Sequence, residues 1–395
     1  MSSQLAMDGA TPEETGEAAP TSVPSPVLRV DAWLVGAICV LLSLGVVLVY
    51  SSSSVHAFRT YGEASFFLNR QLIGVGLGLV LLLGALRVPT ASLARRAPLI
   101  LTVATVLCAL VLIPGLGRVA GGARRWLELG GFRFQPSELA KLAIVVVMAA
   151  MLAARERKAP ERRVSLLVPL LLVQIPVALI LAEPDLGTAV EANLIVGAMI
   201  FAAGLRYRTL LLMGLGALPL LYHLIVGTPF RLRRLLGYID PWAYRSTVGY
   251  QVTEALMSIG SGGLSGVGLG DSKHKLFFLP EAHTDFIFAI LGEELGFIGI
   301  VVVLAAFGVI VWRGSRIALA AQGKFERYLA FGLTLLVGIP AVLNVCVATG
   351  LLPTKGLPLP LMSYGRSNLV MTLLTLGILL RIDLQNRRLA EESGG

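Results

Sequence analysis

The chain is poor in charge, in cysteine and in histidine. Only 14% of its 395 residues are charged, against 55% hydrophobic residues, and it has 3 Cys and 4 His. Soluble globular domains carry about 25% charged residues, so this composition excludes a soluble fold and predicts an integral membrane protein. Cys39, Cys108 and Cys346 all lie in apolar runs without the spacing of a metal or redox site. We interpret them as small apolar core residues.

The chain also lacks room for a large soluble domain. Apolar runs of about 20 residues, the length that crosses a ~30 Å hydrocarbon core, recur from Trp33 almost to the C-terminus. One polytopic bundle is therefore the expected domain. The net charge of +9 is explained by lysines and arginines in loops that orient the spans, and no nucleic-acid signal is found.

The first 28 residues are rich in Ser, Thr, Pro, Ala and Glu and have no apolar periodicity, which predicts a disordered tail. The tail is acidic and lacks a short apolar core behind a basic start, so it is not a signal peptide. We therefore expect a cytoplasmic tail at 1–28, a membrane domain at 29–383 and a cytoplasmic C-terminal tail at 384–395.

Hydrophobic periodicity predicts an all-α integral membrane fold, a polytopic bundle of about ten transmembrane helices. The spans are approximately Trp33–Ser51, Gln71–Leu86, Ala97–Ile113, Ser137–Ala154, Val164–Leu181, Leu186–Ala203, Leu210–Val226, Phe286–Trp312, Tyr328–Ala348 and Asn368–Leu380. Alternate short loops carry basic clusters, which should be cytoplasmic together with both termini. The clusters contain Arg95 and Arg96, Arg155 to Arg163, Arg206 and Arg208, Arg313 to Arg327, and Arg381 to Arg388.

The opposite, extracytoplasmic face then holds a large loop between spans 7 and 8, residues 227–285. Within it, Val252, Ala255, Leu256 and Ile259 follow helical spacing, which favours a helix lying on the membrane surface. The glycine-rich run GSGGLSGVGLG at 260–270 has no βαβ context. It is either a flexible loop or a backbone that approaches a phosphate-bearing ligand.

Asp285 follows Thr284 at the start of a span. It either caps the helix or serves as a general base at the outer mouth of the bundle. Glu293 lies about 12 Å further along the same helix, which exceeds the ~6.5–9.5 Å carboxyl spacing of an inverting hydrolase. A single base suffices if a hydroxyl is the nucleophile and a diphosphate is the leaving group.

A diphosphate needs cations, and two outer segments supply them. Lys273, His274 and Lys275 precede Asp285, while Arg124, Arg125 and Arg133 stand on another outer loop. These side chains either bind phosphate oxygens or are simply solvated.

Two further acids begin spans on the outer side. Glu138 and Lys141 are three residues apart on one helix face and form either a structural ion pair or a substrate contact. Asp185, in EPDLGTA, either caps the next helix or faces the site. Glu191 and His223 lie within predicted spans and lack a ligand-spaced metal set.

Five motifs occur in order along the chain: GARRWLELGGFRFQPSELAKL, EPDLGTA, GYQVTEALMSIGSGGLSGVGLG, KLFFLPEAHTDFIFAILGEELG and GLLPTKGLPLPLMSYG. With them the sequence resembles the SEDS family of bacterial cell-wall polymerases, and most closely its cell-division branch. The resemblance implies a ten-span peptidoglycan glycosyltransferase that joins lipid II units at the outer face by an inverting mechanism and releases undecaprenyl diphosphate.

Carried over by motif, Asp285 matches the essential aspartate, the base that deprotonates the acceptor sugar's 4-hydroxyl. Glu138 and Lys141 match the motif acid and lysine. Around them we expect a substrate-binding or supporting set formed by Asp185, Arg124, Arg125, Lys275 and His283. The resemblance further implies the bacterial cytoplasmic membrane at the division septum, a class B penicillin-binding protein as partner, and other divisome proteins. No cofactor is certain, and the need for a divalent cation, Mg²⁺ or Mn²⁺, stays open.

One departure stands out. The family's SYGGSS is SYGRSN here, which places Arg366 at a glycine position and Asn368 at a serine position. The change either tunes partner or substrate contacts or marks a less active paralogue. Two other functions also fit a polytopic bundle: a flippase or transporter of lipid-linked precursors, with ionisable groups along a path through the midplane, and a non-catalytic division scaffold.

Overall fold

The computed structural model describes residues 30–120, 122–130, 132–158, 167–275 and 279–394. The tail predicted for residues 1–28 lies outside the described residues, so its disorder stays a prediction. The division at 383/384 also stays a prediction, and the last helix runs across that position.

The described residues form twelve helices and one small sheet. The helices are α1 Ala32–Tyr61, α2 Phe66–Ala85, α3 Thr90–Leu112, α4 Pro136–Lys158, α5 Leu167–Ala182, α6 Leu186–Ala202, α7 Tyr207–Val226, α8 Pro229–Ile239, α9 Tyr250–Ser261, α10 Ile287–Ala320, α11 Lys324–Ala348 and α12 Arg366–Gly394. Strands β1 Gly117–Ala120, β2 Ala123–Leu129 and β3 Phe132–Phe134 form an antiparallel sheet in the order β1-β2-β3 between α3 and α4.

Eight of the described helices are long and apolar enough to cross a membrane: α1, α2, α3, α4, α7, α10, α11 and α12. Two shorter apolar helices, Val168–Ala182 and Leu186–Ala202, fall where the fifth and sixth spans were predicted. The all-α membrane bundle is therefore confirmed. The count of ten rests on these two short helices and stays a prediction.

The first helix is longer than the predicted span, because α1 continues to Tyr61 instead of ending at Ser51. The helix includes the serine run at 51–54. Ser52 and Ser53 are buried and donate to the carbonyls of Leu48 and Val49, each at 2.6 Å. Hydrogen bonding back to the previous turn lets serine continue a helix.

Helices α4 and α12 lie at the centre of the bundle, where Ile144, Met148 and Leu376 are fully or almost fully buried. Helix α7 has no buried residue and packs at the edge against α6 and α8. Apolar side chains that face lipid need no protein partner, so an exposed apolar helix is expected in a membrane protein.

Helix α9 confirms the helix predicted around Val252, but not its position on a membrane surface. Val252 and Ala255 are buried, and α9 packs against α10 and α11. The helix therefore belongs to the packed core of the protein.

The glycine-rich loop after α9 is packed against a break in α10. Gly296 has φ 65° and ψ −161° inside that helix, a conformation that essentially only glycine adopts. The carbonyls of Glu293 and Glu294, freed by the break, accept hydrogen bonds from the amides of Val267 at 3.0 Å and Gly268 at 3.2 Å. The loop thus satisfies the backbone of the broken helix, and the glycines serve close backbone packing.

Candidate active site

Two adjoining cavities open where the sheet, the turns before α6 and α10, and the 353–365 segment converge. The first, of about 280 Å³, is lined by acids and cations from four parts of the chain. The second, of about 500 Å³, lies between α6, α7, α8 and the 353–356 turn. Arg125, Asp185 and Gly356 line both cavities, so the two cavities share a wall formed by these residues.

Asp285 lies in the wall of the first cavity, on the turn that leads into α10. The turn is built on Glu281, whose φ of 56° is unusual for a residue with a side chain. The carbonyl of Glu281 accepts from the amides of Thr284 at 3.1 Å and Phe286 at 3.3 Å. Glu281, Thr284 and Asp285 all line the cavity.

A second turn holds the Asp285 turn from the other side. The Ser363 hydroxyl donates to the Thr284 carbonyl at 2.5 Å, and the Tyr364 amide donates to the His283 carbonyl at 2.9 Å. Gly356 comes so close that a Cβ there would lie 3.1 Å from Asp285 Oδ2. A side chain at position 356 would therefore crowd the carboxylate, which explains a glycine at this point of PTKGLP.

The pKa of Asp285 is raised to about 7, first by removal of the carboxyl from water and then by the nearby negative charge of Glu281. Arg234 and Arg125 act in the opposite direction. A carboxylate with a pKa near 7 suits general base catalysis at neutral pH. About half of the protein molecules then carry the ionised carboxylate, and this carboxylate is more basic than an ordinary aspartate.

Beside Asp285, a buried ion network crosses the first cavity. The Lys141 ammonium lies 3.1 Å from Glu138 Oε1 and 2.8 Å from Glu191 Oε1. Asn368 Nδ2 donates to Glu138 Oε2 at 3.2 Å. These four side chains come from α4, α6 and α12 and all line the cavity. The network fixes one ammonium group in a wall that is otherwise rich in carboxylates.

Asp185 performs both roles that the sequence left open. Its Oδ1 caps α6 by accepting from the Thr188 amide at 3.1 Å, while Oδ2 lies 3.5 Å from Arg125 Nη1. Arg125 is the extra residue of a β-bulge, because Arg118 pairs with Trp126 and Val119 pairs with Arg124. Bulges redirect side chains, and Arg125 reaches the Pro184 carbonyl at 2.8 Å.

The second cavity has a basic end and an apolar wall. Its cations are Arg125, Arg231, Arg234 and Lys355, and its apolar side is formed by residues such as Leu221, Ile225 and Leu235. Loss of hydration is the main cause that lowers the pKa values of Arg234 and Lys355. An anion bound beside Arg234 and Lys355 would give these partly dehydrated cations favourable charge interactions.

Three residues of the predicted supporting set are not brought to the cavities. Lys275 is one: its ammonium lies 3.0 Å from Glu294 Oε1 and donates to Ser51 Oγ at 3.0 Å. This ion pair is almost fully buried. Lys275 links the chain ahead of Asp285 to α10 and α1. It lines neither of the two cavities.

Arg124 and His283 are the other two. Arg124 points to the end of α3, where it donates to the Leu112 carbonyl at 3.1 Å. His283 packs among aromatic rings, with ring centroids 4.7 Å from Phe67 and 5.7 Å from Tyr364. Neither lines a cavity, so His283 supports Asp285 only through the backbone.

The structure also adds cavity residues that the sequence reasoning missed. They are Glu191, Glu281, Arg231, Arg234 and Lys355. For Glu191 a signal was present, because Asp185, Thr188 and Glu191 recur every three residues at the start of one helix. Arg231 and Arg234 are likewise three residues apart, on helix α8. Glu281 and Lys355 lie outside helices and strands, where spacing carries no information about the partner.

Three carboxylates of the first cavity have cationic partners. Lys141 pairs with Glu138 and Glu191, and Arg125 faces Asp185. Among the described residues, no group of three or more His, Cys, Asp or Glu is arranged to hold a metal ion. The role of Mg²⁺ or Mn²⁺ stays a question for experiment.

Comparison with known proteins gives concordant results. The family described as "Cell cycle protein" (FtsW, RodA and SpoVE) matches residues 32–388. A protein of Geobacter sulfurreducens named probable peptidoglycan glycosyltransferase FtsW is 45% identical over 342 residues, which are 87% of this chain and 92% of that protein. A relative of the same name from Hahella chejuensis is 42% identical over 365 residues, 90% of each chain.

Solved structures agree with these relatives. A chain from a study of polymerization and crosslinking by a peptidoglycan synthase complex superposes with a TM-score of 0.75 at 33% identity, covering 92% of this chain and 99% of that one. The rod shape determining protein RodA of Thermus thermophilus gives a TM-score of 0.67 at 33% identity, covering 91% and 97%.

Proposed function

The chain belongs to the FtsW, RodA and SpoVE family, and from this membership we propose that it is a peptidoglycan glycosyltransferase that polymerises lipid II for the septal wall of a dividing cell. The single observation that carries the proposal beyond family likeness is the position of Asp285. A carboxylate with a pKa of about 7 lies in the wall of a cavity that adjoins a basic, apolar-walled cavity. The arrangement provides a base beside a site for a lipid diphosphate.

The reaction is one displacement. The 4-hydroxyl oxygen of the acceptor sugar attacks the anomeric carbon of the growing chain, and its proton passes to the Asp285 carboxylate. The bond from the anomeric carbon to the diphosphate oxygen breaks, and its electron pair leaves with undecaprenyl diphosphate. A single backside displacement inverts the anomeric centre, and it requires one base in place of the carboxyl pair of a hydrolase.

The second cavity is suited to the leaving group. Arg231, Arg234 and Lys355 can offset the charge of a diphosphate, whose oxygens match arginine geometry. The apolar wall and the exposed helix α7 beside it suit the first isoprene units of the lipid. The diphosphate can therefore leave without protonation, since the cations take up its charge.

The cellular setting follows from the same membership. We expect a multi-pass protein of the bacterial cytoplasmic membrane with both termini in the cytoplasm, acting at the septum. We expect a class B penicillin-binding protein as partner, which cross-links the glycan that this protein makes. Other divisome proteins are expected as further partners. The similarity to a chain of a peptidoglycan synthase complex supports such a partnership.

The test is glycan-chain formation from purified lipid II by the detergent-solubilised protein, with and without its class B penicillin-binding protein. Wild type should make polymer and Asp285→Asn should not. The unfolding temperature of Asp285→Asn should equal that of wild type. Asp271→Asn makes the same chemical change at an exposed outer position and should leave polymerisation intact.

Equal polymer from wild type and Asp285→Asn would remove Asp285 from the role of base. If the wild type makes no polymer even with the partner, the protein is not a polymerase. Transport of labelled lipid II across vesicles would then be the next measurement.

A further inference from the structure

Asn368 occupies the position at which the resembling motif has serine, and its side chain enters the cavity that holds Asp285. It lies in the first turn of α12, directly after Ser367. Ser367 Oγ donates to the Arg133 carbonyl at 3.0 Å and accepts from the Gln135 amide at 3.0 Å. The start of α12 is thereby tied to the chain that enters α4.

This tie places the side chain of Asn368 over the first turn of α4. Its amide donates to Glu138 Oε2 at 3.2 Å, while Glu138 Oε1 lies 3.1 Å from the Lys141 ammonium. Each carboxylate oxygen of Glu138 thus has its own partner. A buried carboxylate with both oxygens engaged is held in one orientation.

Lys141 is the member of the network whose position matters for an anionic substrate. It is 5% exposed and is shared between Glu138 and Glu191. If Glu138 turns, the ammonium loses one of its two anchors and moves towards Glu191. Lysine itself is a point charge on a flexible stem, so its position depends on the groups that hold it.

We propose that Asn368 is a positioning residue for glycosyl transfer, which orients Glu138 and through it the Lys141 ammonium beside the reacting sugar. The inference rests on the proposed polymerase function. A serine hydroxyl extends from the backbone by about one bond less than an asparagine amide, so asparagine lets α12 reach Glu138 directly. The substitution at this motif position therefore maintains the site, and it does not mark an inactive protein.

The decisive variant is Asn368→Asp, which keeps the shape and replaces the donor by a second carboxylate facing Glu138. At neutral pH the two carboxylates repel, and at lower pH they can share a proton. We expect kcat for lipid II polymerisation to fall by about tenfold or more, because small displacements at a reacting centre have effects of this size. KM should change by less than about twofold if substrate binding is retained.

The pH dependence separates positioning from a general loss of structure. The ratio of variant to wild-type rate should rise as pH falls from about 8 to about 6, because the carboxylate pair gains a shared proton. Lys141 and Glu191 also face Glu138 and are the same in both proteins, so the ratio isolates the new pair. Asn368→Ser should have an intermediate rate.

A matched control exists on the outer surface. Asn69 Nδ2 donates to Glu63 Oε1 at 3.0 Å in an exposed position, so Asn69→Asp creates the same pair in water. Its rate should equal that of wild type at each pH.

The outcomes distinguish the inference from the function on which it rests. Equal rates for wild type and Asn368→Asp throughout the pH range would overturn the inference. If wild type itself makes no polymer, the proposed function fails. The unfolding temperature of Asn368→Asp then tests the bond between Asn368 and Glu138 on its own. If the rate of Asn368→Asp relative to wild type is low at pH 8 and higher at pH 6, the bond between Asn368 and Glu138 is supported. If this relative rate is the same at both pH values, that bond is not the cause. Should Asn368→Asp fail to fold, the kcat of Asn368→Ser decides: a wild-type value overturns the inference.

Discussion

Asn344 holds Asp285 through the backbone. Its amide donates to the Asp285 carbonyl at 2.8 Å and to the Leu357 carbonyl at 2.7 Å. One buried side chain on α11 thus joins the turn that carries Asp285 to the turn that carries Gly356. The base and the wall of its cavity are fixed to each other by a residue that lines neither cavity.

Replacement of Asn344 by leucine should reduce both stability and rate. Two buried carbonyls lose their donor, at about 1–3 kcal/mol each, and Asp285 loses its fixed position. We expect a lower unfolding temperature and a fall in kcat that exceeds the change in KM. Asn193→Leu is the control, because Asn193 donates to a carbonyl of its own helix and its other bond, accepted from Gln174, is exposed. A normal kcat for Asn344→Leu would refute the tethering role.

The raised pKa of Asp285 predicts the pH profile of polymerisation. The base must be deprotonated, so kcat should increase as pH rises through about 7. Glu281 contributes to this pKa by its negative charge. Glu281→Gln should therefore lower the pKa and move the acidic limb of the profile to lower pH, and Arg234→Gln should move it to higher pH. Initial rates of polymerisation across this pH range measure both shifts, and an unmoved limb in both variants would contradict this account of Asp285.

The break in α10 predicts a specific sensitivity at Gly296. Alanine there would adopt a positive φ, and its Cβ would lie 2.3 Å from the Gly266 nitrogen. The cost should reach about 2 kcal/mol or more, from backbone strain together with the clash. Gly308→Ala on the same helix meets nothing within 4 Å and should be neutral or slightly stabilising. Chemical unfolding in detergent compares the two, and equal stability would argue against the break.

Lys275 should matter for stability and not for substrate affinity. Its loss in Lys275→Met leaves Glu294 as a buried charge without its cation, which typically costs 3–5 kcal/mol. Lys273 is exposed, and only its backbone amide contacts Glu293, so Lys273→Met is the matched control. The unfolding temperature should fall for Lys275→Met alone. A stable Lys275→Met variant with a raised KM would instead support the phosphate role considered from the sequence.

How far the sequence predicts the site depends on how local each contact is. Glu138 and Lys141 share a helix face, and Asp185 and Asp285 precede apolar spans, so helical spacing and motif resemblance were enough to select them. The tie between Asn344 and Asp285 joins residues 59 apart in sequence, and no periodicity signals it. Charge composition does not distinguish Arg125, which a bulge redirects, from Arg124, or a solvated lysine from one paired with Glu294.

The position of the second cavity next to the first predicts that its cations act on the leaving group. Lys355 lines that cavity and is partly dehydrated, and Asp185 is the acid that acts on its charge. Lys355→Gln removes one charge-assisted contact to a diphosphate, worth about 1.5–3 kcal/mol, so kcat/KM for lipid II should fall by about one to two orders of magnitude. Arg118→Gln removes a cation of an exposed outer pair with Glu128 and should have no such effect. If the diphosphate lies at these cations, added inorganic diphosphate should inhibit wild type more strongly than Lys355→Gln. Equal inhibition of both proteins would place the leaving group elsewhere, since the second cavity would then hold no anion that depends on Lys355.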